Sequence, residues 1–108
     1  MTVTKSQFSA ALERTRNFSK KNFAGVDFSD MDLKNVNFSG CNLTGANLAG
    51  CDLRGASFLG ANLTNANLNH TTLIKVNLER TILNGVSMLH ADFGAEEFLA
   101  EIEDFALA

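Results

Sequence analysis

Residues 41–70 read CNLTG-ANLAG-CDLRG-ASFLG-ANLTN-ANLNH, six blocks of five with Leu or Phe third in every block. Asn, Asp or Ser stands second, Cys or Ala first, and Gly closes four of the six. Outward from this stretch the same step runs from Phe18 to Phe93, and all 16 of these positions are Phe, Leu or Met. The residue before this centre is Asn or Asp in 12 of the 16, the exceptions being Ser57, Thr72, Ile82 and Ser87. A period of five matches neither the 3.6-residue turn of a helix nor the two-residue alternation of a strand. It fits an extended chain that turns a corner every five residues. The centre and the residue two before it then share one side, and Gly or Asn at the corner accepts the positive φ of a tight turn.

Four such corners close a square of 20 residues, and squares stack at a ladder spacing of about 4.8 Å, so about four coils make a rod roughly 19 Å tall. The inner columns become Phe18/Phe38/Phe58/Leu78, Phe23/Leu43/Leu63/Leu83, Phe28/Leu48/Leu68/Met88 and Leu33/Leu53/Leu73/Phe93, each apolar throughout. Composition agrees: the 108 residues include 9 Phe and 12 Asn but no Pro, Trp or Tyr, so nothing in the chain is unable to donate to a backbone ladder. Cys41 and Cys51 fall on opposite walls of one coil, pointing inward, and read as small buried hydrophobes.

The units Ala46-Asn47-Leu48, Ala61-Asn62-Leu63 and Ala66-Asn67-Leu68 resemble the A-[ND]-L-x-x motif of the pentapeptide repeat family. That resemblance implies an all-β solenoid, a right-handed quadrilateral β-helix, and no single activity. Arg16 and Lys21 depart from the small residue that the motif wants, which predicts an irregular first coil.

Both ends of the rod need covering, because an open β-helix exposes its core and its ladder edges. Thr4-Lys5-Ser6-Gln7 has capping-box spacing, and Phe8, Ala11 and Leu12 follow on one face. Residues 1–15 are therefore expected to form an N-terminal capping helix, and residues 16–95 the rod. Residues 96–108 read as an acidic amphipathic C-terminal capping helix, with Phe98, Leu99, Ile102 and Phe105 on one face. Two arrangements stay open for it: closing its own rod only, or also joining a second copy. The resemblance supports a homodimer, since family members often pair through this end.

The net charge of −3 gives no basic surplus for phosphate binding, so nucleic acid is not an expected partner. No run of about 18 apolar residues suits a membrane span. Residues 1–25 lack the apolar core of a secretory signal, so a cytoplasmic location is expected. The charge is uneven: +2 over residues 1–17, zero over 18–95 and −5 over 96–108. On one face of the rod Asp32, Asp52 and Asp92 share the column before the centre, and Lys34 and Arg54 stack just after it. These five are the candidate partner-binding residues. His70 and His90 share a corner column, at a spacing that brings two imidazoles near a divalent metal if a carboxylate joins them. No catalytic motif appears, and neither a cofactor nor a catalytic residue is expected. The reading is a non-catalytic protein-interaction or scaffold module. The alternatives are a DNA-mimicking modulator of a type II topoisomerase such as gyrase, a role the resemblance brings in, and a metal-dependent enzyme using His70 and His90. The resemblance also places such repeats in larger chains and in secreted bacterial effectors.

Overall fold

The computed structural model describes residues 2–94. One helix, α1 (Lys5–Leu12), precedes a stack in which parallel bridges join each residue before a centre to the residue 20 further on. The bridges form four columns: Asn17/Asn37/Ser57/Asn77 on wall 1, Asn22/Asn42/Asn62/Ile82 on wall 2, Asp27/Asn47/Asn67/Ser87 on wall 3 and Asp32/Asp52/Thr72/Asp92 on wall 4. The fold is thus the expected four-sided β-helix. Each wall is one bridged residue wide, because the chain has only five residues before it must turn again.

The ladder is regular. The centres from Phe18 to Leu73 donate their amides up the stack, as Leu48 does to Asn67 O at 2.8 Å, and from Asn37 on the residue before the centre donates down, as Asn47 does to Val26 O at 2.9 Å. Corner amides donate up as well, as Gly45 does to Thr64 O at 2.8 Å. At many corners a local bond also closes the turn, as from Ala46 N to Leu43 O at 3.0 Å. The first coil obeys the same ladder, contrary to expectation: Arg16 O and Lys21 O accept from Asn37 N and Asn42 N at 2.8 and 3.0 Å. The side chains of Arg16 and Lys21 stay exposed, and Phe8 of α1 fills the interior in their place.

Every corner from Lys20 to His90 has positive φ, between +56° at Arg80 and +71° at Gly50 and Gly55. Seven of these corners are Gly, as the sequence suggests, and Asn35 and Asn65 are also tolerant types. Asp30 is of the same tolerant kind, whereas Lys20, His70, Lys75, Arg80 and His90 adopt the conformation without that help. For them the ladder dictates the backbone against local preference.

The Asn and Asp residues before the centres have a structural task that periodicity alone does not reveal. In all 12 units that carry one, its Oδ1 accepts the amide two residues on, at 2.9–3.2 Å. This Asx turn satisfies the one outward amide that the ladder leaves over. Ser57 does the same with its hydroxyl, which accepts the Leu59 amide at 3.3 Å, but the Ser87 hydroxyl does not. Asn69, one coil below, takes over, accepting the Leu89 amide at 2.8 Å and the Ser87 hydroxyl at 2.6 Å.

The core is continuous from Phe8 to Leu73. At the start it is aromatic: the Phe8 ring lies 4.5 Å from that of Phe18 and 4.7 Å from that of Phe28. The α1 capping box is formed, with Gln7 N to Thr4 Oγ1 at 3.1 Å and Thr4 N to Gln7 Oε1 at 2.8 Å. The helix ends at Leu12 rather than near residue 15, as the chain turns through Arg14 and Thr15 into the first coil. Cys41 and Cys51 are buried free thiols. Their Sγ atoms donate to Phe18 O at 3.0 Å and Phe28 O at 2.9 Å. Burial raises the Cys41 pKa and pushes that of Cys51 to about 11.

At the far end the inner columns open. Leu78, Leu83 and Met88 are half-buried and Phe93 is 42% exposed, since no described coil lies above them. The expected helix over 96–108, with Phe98, Leu99, Ile102 and Phe105, lies outside the described residues.

Positive φ costs an ordinary L-residue roughly 1–2 kcal/mol. Lys20→Gly is therefore expected to stabilise the protein by about 1 kcal/mol after the greater unfolded-state freedom of Gly is subtracted. That corresponds to a rise of about 4 °C in thermal melting. An unchanged or lower melting temperature would contradict the account of the corners.

Candidate functional site

Wall 4 holds the polar cluster that the sequence picks out. Its units end Asp32-Leu33-Lys34-Asn35, Asp52-Leu53-Arg54-Gly55 and Thr72-Leu73-Ile74-Lys75. In each, the buried Leu anchors the wall and throws the residues on either side of it outward. The stack then sets those side chains in columns at ladder spacing.

Four of the five predicted residues meet. The Arg54 guanidinium grips Asp52 with two bonds, Nε to Oδ1 at 2.9 Å and Nη2 to Oδ2 at 2.6 Å. Lys34 Nζ sits between the two acids, 3.7 Å from Asp32 Oδ2 and 4.0 Å from Asp52 Oδ2. Asp92 stands apart, because Thr72 separates it from Asp52 in the column. Its Oδ1 accepts the Gly94 amide at 2.9 Å. One member was missed by sequence reasoning. Arg16 Nη1 donates to Asp32 O at 3.1 Å and Lys34 O at 2.9 Å, and lies 3.9 Å from Asp32 Oδ1. The motif departure that marks Arg16 as irregular is what lets a long cation lie along this wall.

The hydrogen bonds from Arg54 hold the Asp52 carboxyl below its ordinary value, and Asp52 in turn raises that of Arg54. On wall 3, the Ser29 amide and hydroxyl do the same for Asp27. These acids remain ionised wherever the protein is folded near neutral pH.

A cleft opens at the corner beside this cluster, with a volume of about 360 Å³ and a lining of Lys34, Asn35, Arg54, Gly55, Ile74 and Lys75. Lys75 is a second residue the sequence reading passed over, because it belongs to a corner and not to the outward columns. The His pair is where the column predicts it: the rings of His70 and His90 stack with centroids 5.2 Å apart. Among the described residues no third His, Cys, Asp or Glu joins them in a metal-holding group. The outward apolar residues do not form one patch. Leu59, Ile82 and Leu89 are exposed on walls 1, 2 and 3, and Ile74 is half-buried on wall 4. No helix among the described residues is long and apolar enough to cross a membrane.

The arrangement is suited to holding charged groups at fixed positions against another surface. Asp52→Asn keeps the Asx acceptor but removes the ion pairs, which gives a clean pH test. A depressed carboxyl pKa stabilises the fold above the unfolded value near 3.8, and that contribution fades as pH falls through the folded value. The variant should melt slightly below the parent at neutral pH, and the two should converge at about pH 2. Parallel curves down to that pH would show that the pair contributes nothing.

A family model described as pentapeptide repeats, in eight copies, matches residues 22–60 and 61–94. No curated protein matches the chain. Among solved structures it is similar to the pentapeptide repeat protein Rfr23 from the cyanobacterium Cyanothece 51142, with 29% identity over 72% of this chain and 64% of that one and a TM-score of 0.46. It is also similar to alr5209, a pentapeptide repeat protein from Nostoc PCC 7120, with 24% identity over 86% of each chain and a TM-score of 0.48. A third is HetL, a pentapeptide repeat protein involved in heterocyst differentiation regulation in Nostoc sp. strain PCC 7120: 32% identity over 70% of this chain and 38% of that one, TM-score 0.40. The chain thus spans less than two thirds of the Rfr23 and HetL chains.

Proposed function

The chain belongs to the pentapeptide repeat family, whose members form right-handed quadrilateral β-helices, and from that membership we propose that it is a non-catalytic protein-interaction or scaffold module. We read it as a rod of about four coils closed by a short helix at each end. The observation that carries the function is the wall 4 cluster: Arg16, Asp32, Lys34, Asp52 and Arg54 are held by ladder, Asx and ion-pair contacts on one flat face. A face preordered in this way loses little side-chain freedom when a partner docks.

Charge gives no support to the DNA-mimic alternative. The rod, residues 18–95, carries six basic and six acidic residues, a net of zero. Duplex DNA carries about one negative charge per 1.7 Å of its axis.

The direct test discharges the cluster without disturbing its turns, through Arg16→Gln, Asp32→Asn, Lys34→Gln, Asp52→Asn and Arg54→Gln together. Proteins captured from the native host by the parent rod should be lost with this variant, while its melting curve stays cooperative. Capture of the same proteins by the variant would rule out the wall 4 cluster as the interface.

For the ends, the contacts of Phe8 support α1 as the N-terminal cap. The partly open surface of Leu78, Leu83, Met88 and Phe93 supports the 96–108 segment as the C-terminal one. Burying one Phe contributes about 1.5–3 kcal/mol, so Phe105→Asp should destabilise the protein by about 2 kcal/mol. Sedimentation shows in addition whether the segment joins two copies: a dimeric parent and a monomeric variant would establish it. A variant as stable as the parent would remove the capping role.

A further inference from the structure

The cleft on the wall 4 corner has a lining of one sign. Lys34, Arg54 and Lys75 contribute three cations, Asn35 an amide and Ile74 an apolar floor, with no acid among the lining residues. Gly55 lets the Asn35 side chain lie flat at this corner. A Cβ there would collide with Asn35 Oδ1, which lies over it, and the φ of +71° suits Gly besides.

The three cations are not equally occupied. Arg54 spends Nε and one bond of Nη2 on Asp52, which fixes its guanidinium plane and leaves Nη1 for another acceptor. Lys34 makes only long contacts with its acids, at 3.7 and 4.0 Å. Lys75 forms no ion pair among the described residues. Asp32 and Asp52 therefore act from behind, orienting the cations without filling the cleft. From Lys34 to Lys75 the cations climb two ladder steps, about 10 Å in all. An extended peptide rises about 6.8 Å between alternate residues, so two carboxylates on one side of such a strand span most of that distance.

We infer that the Gly55 cleft, lined by Lys34, Arg54 and Lys75, binds an extended acidic segment of a partner protein through its carboxylates. The inference rests on the reading of the rod as an interaction module and names the chemistry of its partner.

The test is titration of the full chain with fluorescein-labelled hexaglutamate at low ionic strength, where a dissociation constant near 100 µM is expected. Lys75→Glu should weaken binding about tenfold or more. Arg80→Glu makes the same charge change at a corner on wall 1 and should alter binding by less than about threefold. If Lys75→Glu fails to fold, Lys75→Gln replaces it, with a loss of about threefold or more expected. Inorganic phosphate at matched concentration should displace little of the peptide. Absence of binding at about 1 mM peptide, equal losses in the wall 1 and wall 4 variants, or full displacement by phosphate would each overturn the assignment. Such a failure would remove the acidic partner only, because capture by the discharged-cluster variant tests the interaction reading separately.

Discussion

A left-handed residue at every fifth position is the constraint from which the rest of the molecule follows. It turns the chain by one side of a square, so that residue i meets residue i+20 and the parallel ladder closes on itself. The ladder in turn holds even Lys75, Arg80 and the two His corners in a conformation that they disfavour alone. Local preference and tertiary pairing conflict at those corners, and pairing prevails because each coil donates to the next at 2.6–3.0 Å along much of its length. The Asx acceptors complete the scheme by satisfying the amide that faces outward between centre and corner.

The proposed interaction role rests on the flatness that this produces. A wall one bridged residue wide fixes where its flanking side chains leave the backbone, and the Arg54–Asp52 clamp removes some of their freedom. Charges set at ladder intervals amount to a ruler, readable by a surface with complementary spacing. The chemistry is carried by arrangement, since none of the side chains involved is unusual in itself.

Much of the fold is legible in residues 41–70 alone, because the centre position demands Leu or Phe without exception and the interval never slips. The four bridge columns and the burial of Leu43, Leu48, Leu53 and Phe58 follow directly. Three things were not legible. The task of the Asn and Asp before 12 of the centres is one of them, since an acceptor for an amide two residues on leaves no trace in hydropathy. Arg16 was read as a flaw in the motif, because its partners lie 16 and 18 residues away. Lys75 is not legible because the cleft that it lines is assembled from the corners of three successive coils. The predicted face was found in four of its five members, and Asp92 falls outside the cluster for a reason that columns alone do not show: one Thr interrupts the charges.

The thiol–carbonyl bonds of Cys41 and Cys51 give the rod a built-in gauge. Both sulfurs lie in the same coil, both are spent on backbone carbonyls of the coil below, and burial keeps both protonated. A thiolate-seeking reagent therefore reaches neither until that coil parts from its neighbour. The pace at which the chain consumes such a reagent measures how often the middle of the stack breathes. It does so from within, at two points on opposite walls, with no cysteine having to be introduced.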